Sequence, residues 1–233
     1  HLATLVDGAD AIFLGVGLGS DVELDCPGTE LPGFWQSLPF IAELKHGRPL
    51  AVGRRVIVLG GGNTAIDVAR EAVRLGAEHV TLAYRRTRAE MPAYEFEVEA
   101  AEAEGVRFEW LASPVAFRGN GCVQHAIFDR MRLGAPDVDG RRRPEPVEGG
   151  RFALPADTVV AALGQEPRFE VVDWLDDLAM RRGRLVVDPE TGRSGQGLVF
   201  AGGDAVNGGS SVVQAVAEGK RAARAIEEAL CPS

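Results

Sequence analysis

Gly60, Gly62 and Ala65 are the residues whose spacing first suggests chemistry. Residues 55–69 read Arg-Val-Ile-Val-Leu-Gly-Gly-Gly-Asn-Thr-Ala-Ile-Asp-Val-Ala, an apolar strand, a glycine turn and the start of a helix. The pattern is G-x-G-x-x-A, the spacing of a dinucleotide-binding turn with Ala in its third place. Gly60 lets the chain turn off the strand. Gly62 lets a pyrophosphate approach the backbone, and Ala65 is small enough for the helix to pack on the strand. Asn63 and Thr64 open the helix, whose unpaired N–H groups and partial positive charge suit phosphate.

The next strand, Val80–Tyr84, selects between dinucleotides. A site for NAD would carry Asp or Glu near its end, to hold the ribose 2′-hydroxyl. This strand runs instead into Arg85-Arg86-Thr87-Arg88. Guanidinium groups at Arg85 and Arg86 suit a 2′-phosphate, and the expectation is NADP(H).

A second constellation lies near the C-terminus: Gly197-Leu-Val-Phe-Ala-Gly-Gly203-Asp204, a further glycine turn, and an Ala-rich helix from Ser211 to Leu230. The G-x-x-F-A-x-G-D pattern resembles the second flavin-binding motif of flavoproteins with two dinucleotide-binding domains. The chain as a whole resembles the small (beta) subunit of bacterial NADPH-dependent glutamate synthase and its relatives. The matching stretches are Phe13–Gly17, Pro27–Gly33, Val58–Ala65, Tyr84–Arg86, Met91-Pro92, Gly140–Pro144, Ala162–Gln165 and Phe200–Asp204.

That resemblance implies an enzyme that binds NADP(H) and FAD and passes hydride from NADPH to the flavin. Because the cofactors carry the chemistry, it implies no catalytic acid or base. It makes Asp204 the ribityl ligand, with Gly203 in its turn. The helix N-terminus at Val212 and Val213 faces the part of the flavin where negative charge gathers on reduction. Gly17 flanks the flavin, and Gly164 lets the backbone approach the nicotinamide. Electrons would leave through iron–sulfur clusters, or directly, to a partner such as a large glutamate synthase-type subunit.

The family's cysteine-rich N-terminal segment and its first G-x-G-x-x-G do not occur in these residues. The sequence therefore reads as the C-terminal part of such a protein. Other readings are an isolated nucleotide-binding module without redox activity, and a thioredoxin-reductase-like flavoprotein. The lack of a C-x-x-C counts against the latter.

The elements that must hold these residues alternate between strand and helix, with a hairpin inserted, which argues α/β. The expected architecture is a Rossmann-like three-layer NADP-binding domain, residues 51–165, inserted in a partial FAD-binding domain made of residues 1–50 and 166–233. Strands are expected at Asp10–Val16, Arg55–Leu59, Val80–Tyr84, Val106–Trp110, Asp157–Gly164, Arg184–Val187 and Leu198–Ala201. Helices are expected at Asn63–Leu75 and Ala93–Glu104. Phe34–His46 has helical spacing, interrupted by Pro39. Val115–Arg118 and Cys122–Arg132 form a hairpin about Gly119-Asn120-Gly121. Gly134–Gly150, rich in Pro, Gly and Arg, reads as an exposed loop, and Arg141-Arg142-Arg143 as its solvated charge.

Composition narrows the function classes. A formal net charge of −9 argues against non-specific nucleic-acid binding. Cys26, Cys122 and Cys231 are isolated, which fits a reducing cytoplasm and excludes a cysteine-ligated cluster within this sequence. His1, His46, His79 and His125 show no metal-ligand spacing. No apolar run reaches membrane-spanning length.

Overall fold

The computed structural model describes residues 8–136, 142–168, 178–181, 183–195 and 197–231. His1 and Arg141 lie outside them. The chain divides into two compact units, residues 21–164 and residues 1–20 with 165–233.

Apart from four two-residue strands among the described residues, the strands in chain order are β1 Ile12–Leu14, β2 Phe34–Gln36, β3 Arg55–Leu59, β4 His79–Tyr84, β5 Arg107–Trp110, β6 Ala112–Arg118, β7 His125–Pro136, β8 Arg142–Pro155, β9 Thr158–Ala161, β10 Arg193–Ser194 and β11 Val199–Ala201. The helices are α1 Ser37–Lys45, α2 Asn63–Arg74, α3 Glu95–Ala103, α4 Asp204–Asn207 and α5 Val212–Leu230.

The larger unit is built on a five-stranded parallel sheet in the order β2-β9-β3-β4-β5. Its inner strands are buried on both faces, and alternate residues serve different cores. Val56, Val58, Leu82, Tyr84 and Val160 pack with Phe40 of α1, Ile66 and Ala69 of α2, and Val98 of α3. Ile57, Leu59, Ala83, Val159 and Ala161 face Phe117, Ala126 and Phe128 of the antiparallel sheet β6-β7-β8. The layers are thus helices, parallel sheet, antiparallel sheet. Arg70 of α2 adds ion pairs to Glu97 and Glu104, at 2.6 and 2.7 Å, tying α2 to α3.

Three expectations are corrected. The span Phe34–His46 is not one helix, because Phe34–Gln36 pairs with Val159–Ala161 as the sheet's edge strand. Pro39 does not interrupt α1 but sits in its first turn, where a backbone N–H has no helical partner to lose. Asp21 accepts from Ser37 Oγ and, at 2.9 Å, from the Leu38 N–H.

The compact unit that carries the parallel sheet spans residues 21–164, with β2 as the sheet's edge strand. Finally, Gly134–Gly150 is not a loop throughout: Gly134–Pro136 continues β7, and 142–150 belong to β8. Leu133 pairs with Pro144 and Met131 with Pro146, and Arg132 bridges to Glu145 at 3.0 Å. β8 has one paired neighbour in this sheet, and an edge strand tolerates proline.

Asp157, just before β9, fixes the start of β3. It accepts from the Arg54 and Arg55 backbone N–H groups, at 3.0 and 2.9 Å, and from the Arg55 guanidinium. The Arg55 side-chain hydrogen bond holds the Asp157 carboxyl below its ordinary pKa. A depressed carboxylate stabilises the fold above its unfolded pKa, and that contribution is lost as pH falls through the lower folded value. Asp157→Asn is therefore expected to cost about 1–2 kcal/mol at neutral pH. Urea unfolding should show wild type and variant converging as pH falls below the ordinary aspartate range. A gap that stays constant with pH would contradict the ionic role.

The smaller unit holds a three-stranded sheet in the order β1-β11-β10. β1 and β11 run parallel, with Phe13 opposite Phe200 and Leu14 opposite Ala201. Arg184–Leu185 pairs with Met180–Arg181, shorter than the strand expected through Val187. Leu14, Leu185, Ala201 and Ala205 form the buried centre of the unit.

Candidate cofactor sites

The first site lies in the larger unit, where β3 turns into α2. Gly60 has φ +143°, and a Cβ there would sit 2.2 Å from the Ala162 carbonyl oxygen and 3.2 Å from the Ala65 Cβ. The turn is therefore tight against β9's end. Gly61 was not anticipated from the motif spacing, yet a Cβ there would meet the Tyr84 ring at 2.5 Å. Gly62 differs from both: a Cβ on it would meet nothing within 4 Å. Its missing side chain makes no room for protein, so the space it leaves is open to a ligand.

Gly62 is the N-cap of α2 and supplies no side-chain cap. The helix's first N–H groups are consequently available to an anion. The Asn63 side chain turns away to accept from the Tyr94 N–H at 2.9 Å, and Gly61 O accepts from the Ala93 N–H at 3.1 Å. Asn63 thus braces the turn against the start of α3. Thr64 is half-buried and Ala65 fully buried.

The arginines after β4 differ in their surroundings. Arg85 is exposed and has no hydrogen-bond or ionic partner among the described residues. Arg86 Nε donates to the Arg142 carbonyl at 3.1 Å, which leaves its terminal nitrogens free to face a ligand. Arg88 is occupied by ion pairs with Glu95 and Glu102, both at 2.6 Å. Thr87 donates its hydroxyl and its N–H to the Glu90 carboxylate. Arg142 is the residue that sequence reasoning left as solvated charge. Its side chain is bound to the Leu133 and Gly134 carbonyls at 3.2 and 3.3 Å, so it stiffens the ribbon that holds Arg86. Gly164 has φ +121° and is exposed, with open space around a Cβ except for Val22 at 3.9 Å.

The second site lies in the smaller unit. The ends of β1 and β11 and the start of α5 enclose a cleft of about 430 Å³. Phe13, Gly15, Gly17, Gly203, Asp204, Ser210, Ser211, Val212 and Val216 are among the residues lining it, several of them glycines that leave backbone bare. The parallel pairing of β1 with β11 brings Gly17 and the Gly203-Asp204 turn together. Gly203 takes φ +72° to make that turn.

Asp204 Oδ1 accepts from the Ser210 N–H at 3.2 Å, and Oδ2 has no partner among the described residues. Ser211 caps α5 by accepting from the Gln214 N–H at 3.2 Å. Val212 and Val213 are 79% and 78% exposed, but only Val212 lines the cleft. Phe13, 43% exposed, was not anticipated and gives the cleft an aromatic wall. A polar turn, the Ser211-capped N-terminus of α5 and apolar walls suit a ligand with a flat aromatic body and a hydroxylated arm.

Cys26, Cys122 and Cys231 are free thiols. Among the described residues, no group of three or more His, Cys, Asp or Glu side chains comes together in a way that could hold a metal ion. No helix among them is long and apolar enough to cross a membrane.

Comparison with known proteins agrees with this architecture. The family model described as pyridine nucleotide-disulphide oxidoreductase matches residues 4–219. The beta subunit of NADP(+)-dependent formate dehydrogenase from Moorella thermoacetica is 44% identical over 95% of the chain and 32% of its own length. The glutamate synthase [NADPH] small chain of Halomonas elongata is 40% identical over 95% of the chain and 50% of its own length. The chain thus spans between a third and a half of these relatives. Among solved structures, Mycobacterium tuberculosis FprA in complex with NADPH superposes with a TM-score of 0.76 at 21% identity. That match covers 98% of the chain and 64% of FprA, and it is a likeness of fold.

Proposed function

Because the chain belongs to the pyridine nucleotide-disulphide oxidoreductase family, we propose that it binds NADPH and FAD and works in an oxidoreductase of the glutamate synthase small-chain type. The observation that carries this reading is the space at Gly62. It opens beside an uncapped helix N-terminus, with Arg85 and Arg86 following the next strand where an NAD site would place a carboxylate.

The N–H groups at Asn63 and Thr64 would hold the pyrophosphate, and Arg85 and Arg86 the 2′-phosphate. Gly164, with open space around its α-carbon, would border the nicotinamide. Residues 21–164 form the nucleotide domain in this reading, and the smaller unit contributes to the flavin domain. There Asp204 Oδ2 would take a ribityl hydroxyl. Gly17 and Gly203 admit the flavin to the backbone, and the N-terminus of α5, at Val212 and Val213, stabilises charge on its pyrimidine ring. When bound, the two cofactors supply the chemistry, hydride passing from NADPH to the flavin. The chain's own residues position and select rather than exchange protons, so no catalytic acid or base is assigned.

Electrons would then pass to an acceptor, either iron–sulfur clusters or a partner subunit of the glutamate synthase type. The relatives named as small chain and beta subunit support such a partner. The cytoplasm is the proposed compartment, in keeping with three unpaired cysteines.

Anaerobic addition of NADPH to the flavin-loaded protein tests the reading. The flavin's visible absorbance should bleach with NADPH and much more slowly with NADH; no bleaching with either would refute it. Asp204→Ala should weaken flavin retention about tenfold, read as flavin content after gel filtration. It should leave 2′,5′-ADP binding unchanged. Undiminished flavin content would remove Asp204 from the site.

A further inference from the structure

Glu218 is 8% exposed, yet neither the motif nor the proposed chemistry uses it. It lies on α5, just past the turn of the helix that borders the cleft. Its carboxylate gathers donors from the Gly203 turn, from α4 and from its own helix. The Gly203 N–H donates to Oε2 at 2.6 Å, and Gln214 Nε2 to Oε1 at 2.8 Å. Asn207 Nδ2, at the end of α4, lies 3.3 Å from both oxygens. A Cβ on Gly202 would come within 3.1 Å of the Glu218 Cβ, so glycine before the turn lets helix and strand approach this closely.

A buried carboxylate without partners would protonate. Burial does press the Glu218 pKa upward, but the donors from Gln214, Gly203 and Asn207, together with the nearby Arg221 charge, outweigh it and hold the pKa below the ordinary carboxylate value. The group is therefore charged at neutral pH. It is a fixed negative charge beneath a helix N-terminus that otherwise offers positive potential. A structural cap for one turn could be served by Ser, Asn or Gln. A carboxylate that ties its own helix to the Gly203–Asn207 turn has a further consequence for any ligand whose charge changes in the cleft.

We propose that Glu218 is a positioning residue of the flavin site: its carboxylate clamps the Gly203-Asp204 turn, the end of α4 and the first turn of α5, and its charge biases a bound flavin toward the oxidised form. The inference rests on the flavin reading of the cleft. Reduction adds negative charge to the flavin, and a like charge held in the protein opposes it, the more strongly the lower the local dielectric. Glu218 thus weakens the flavin's hold on the electrons it receives, which favours their onward transfer.

The test compares wild type, Glu218→Gln, Glu218→Ala and Gln214→Met in the flavin-loaded protein, reading flavin content and midpoint potential. Glu218→Gln keeps the shape and loses the charge. It should retain flavin near the wild-type level while favouring the reduced flavin about tenfold, which for a two-electron couple is a shift of about +30 mV. Glu218→Ala should shift the potential the same way and also retain at least about tenfold less flavin, because Gly203 and Asn207 lose their acceptor. Gln214 is exposed, so Gln214→Met should fold and removes one donor while leaving the charge. It should retain flavin a few-fold less well, with the potential unmoved or more negative.

A Glu218→Gln protein with flavin bound and an unmoved potential overturns the inference, as does a positive shift in Gln214→Met. Full flavin content in Glu218→Ala overturns the clamping role. A wild-type protein that takes up no flavin overturns the flavin reading and this inference together.

Discussion

Gly60→Ala is expected to destabilise the nucleotide unit by about 3 kcal/mol and to abolish measurable NADPH binding. The added Cβ would stand 2.2 Å from the Ala162 carbonyl, whose residue is itself anchored through its N–H to Leu59 at 2.8 Å. Nothing near the turn can yield, because the colliding atom is backbone next to the central strand. The φ of +143° adds a conformation that a side chain rarely adopts. Gly62→Ala is the informative contrast. Gly62 has φ −90°, and its Cβ would meet nothing. That variant should unfold in urea at the wild-type midpoint while losing NADPH affinity about tenfold, because the methyl group occupies the pyrophosphate's approach. The pair separates the glycine that shapes the fold from the glycine that admits the ligand. Equal destabilisation in both variants would contradict the division.

The second large effect concerns selectivity. Arg85→Ala and Arg86→Ala should each weaken NADPH binding by about 1.5–3 kcal/mol, roughly ten- to hundred-fold, with little change for NADH. The two sites differ in mechanism. Arg85 has no partner to lose among the described residues, so its removal subtracts a phosphate contact and little else. Arg86 is held by the Arg142 carbonyl at 3.1 Å, so its guanidinium is oriented before the ligand arrives. The cost at Arg86 should therefore be the larger, since a pre-ordered contact gives up less side-chain entropy on binding. Parallel losses for NADPH and NADH would place both arginines outside the 2′-phosphate site.

Much of the nucleotide unit is legible in the sequence because its signals are local. Arg55–Leu59, Asn63–Arg74 and His79–Tyr84 follow one another with short turns, and each carries its own periodicity or glycine punctuation. What stayed hidden is held by distant partners. Phe34–Gln36 becomes a strand only because Val159–Ala161, more than a hundred positions later, offers it a parallel edge; alone, its apolar spacing merges with that of α1. Residues 134–136 and 142–150 are mostly exposed, so they lack the apolar alternation that marks a half-buried strand. They are held by cross-strand pairs such as Arg132 with Glu145. The same distance effect governs the sites. Gly60 and Gly62 stand out in the sequence by their spacing, and Asp204 by the resemblance of its motif. Arg142 and Glu218 do not, because their partners at Arg86 and Gly203 meet them only after folding. For Glu218 one signal was available, the i, i+4 spacing of Gln214 and Glu218 on one helix face.

The central claim is that the Gly60–Ala65 turn with Arg85 and Arg86 forms an NADP-selective site. Calorimetric titration of the chain with NADPH and with NADH, side by side in the same buffer, tests it most directly. The account predicts saturable NADPH binding at least tenfold tighter than NADH binding. Equal affinity for the two, or no heat of binding with either, would contradict it.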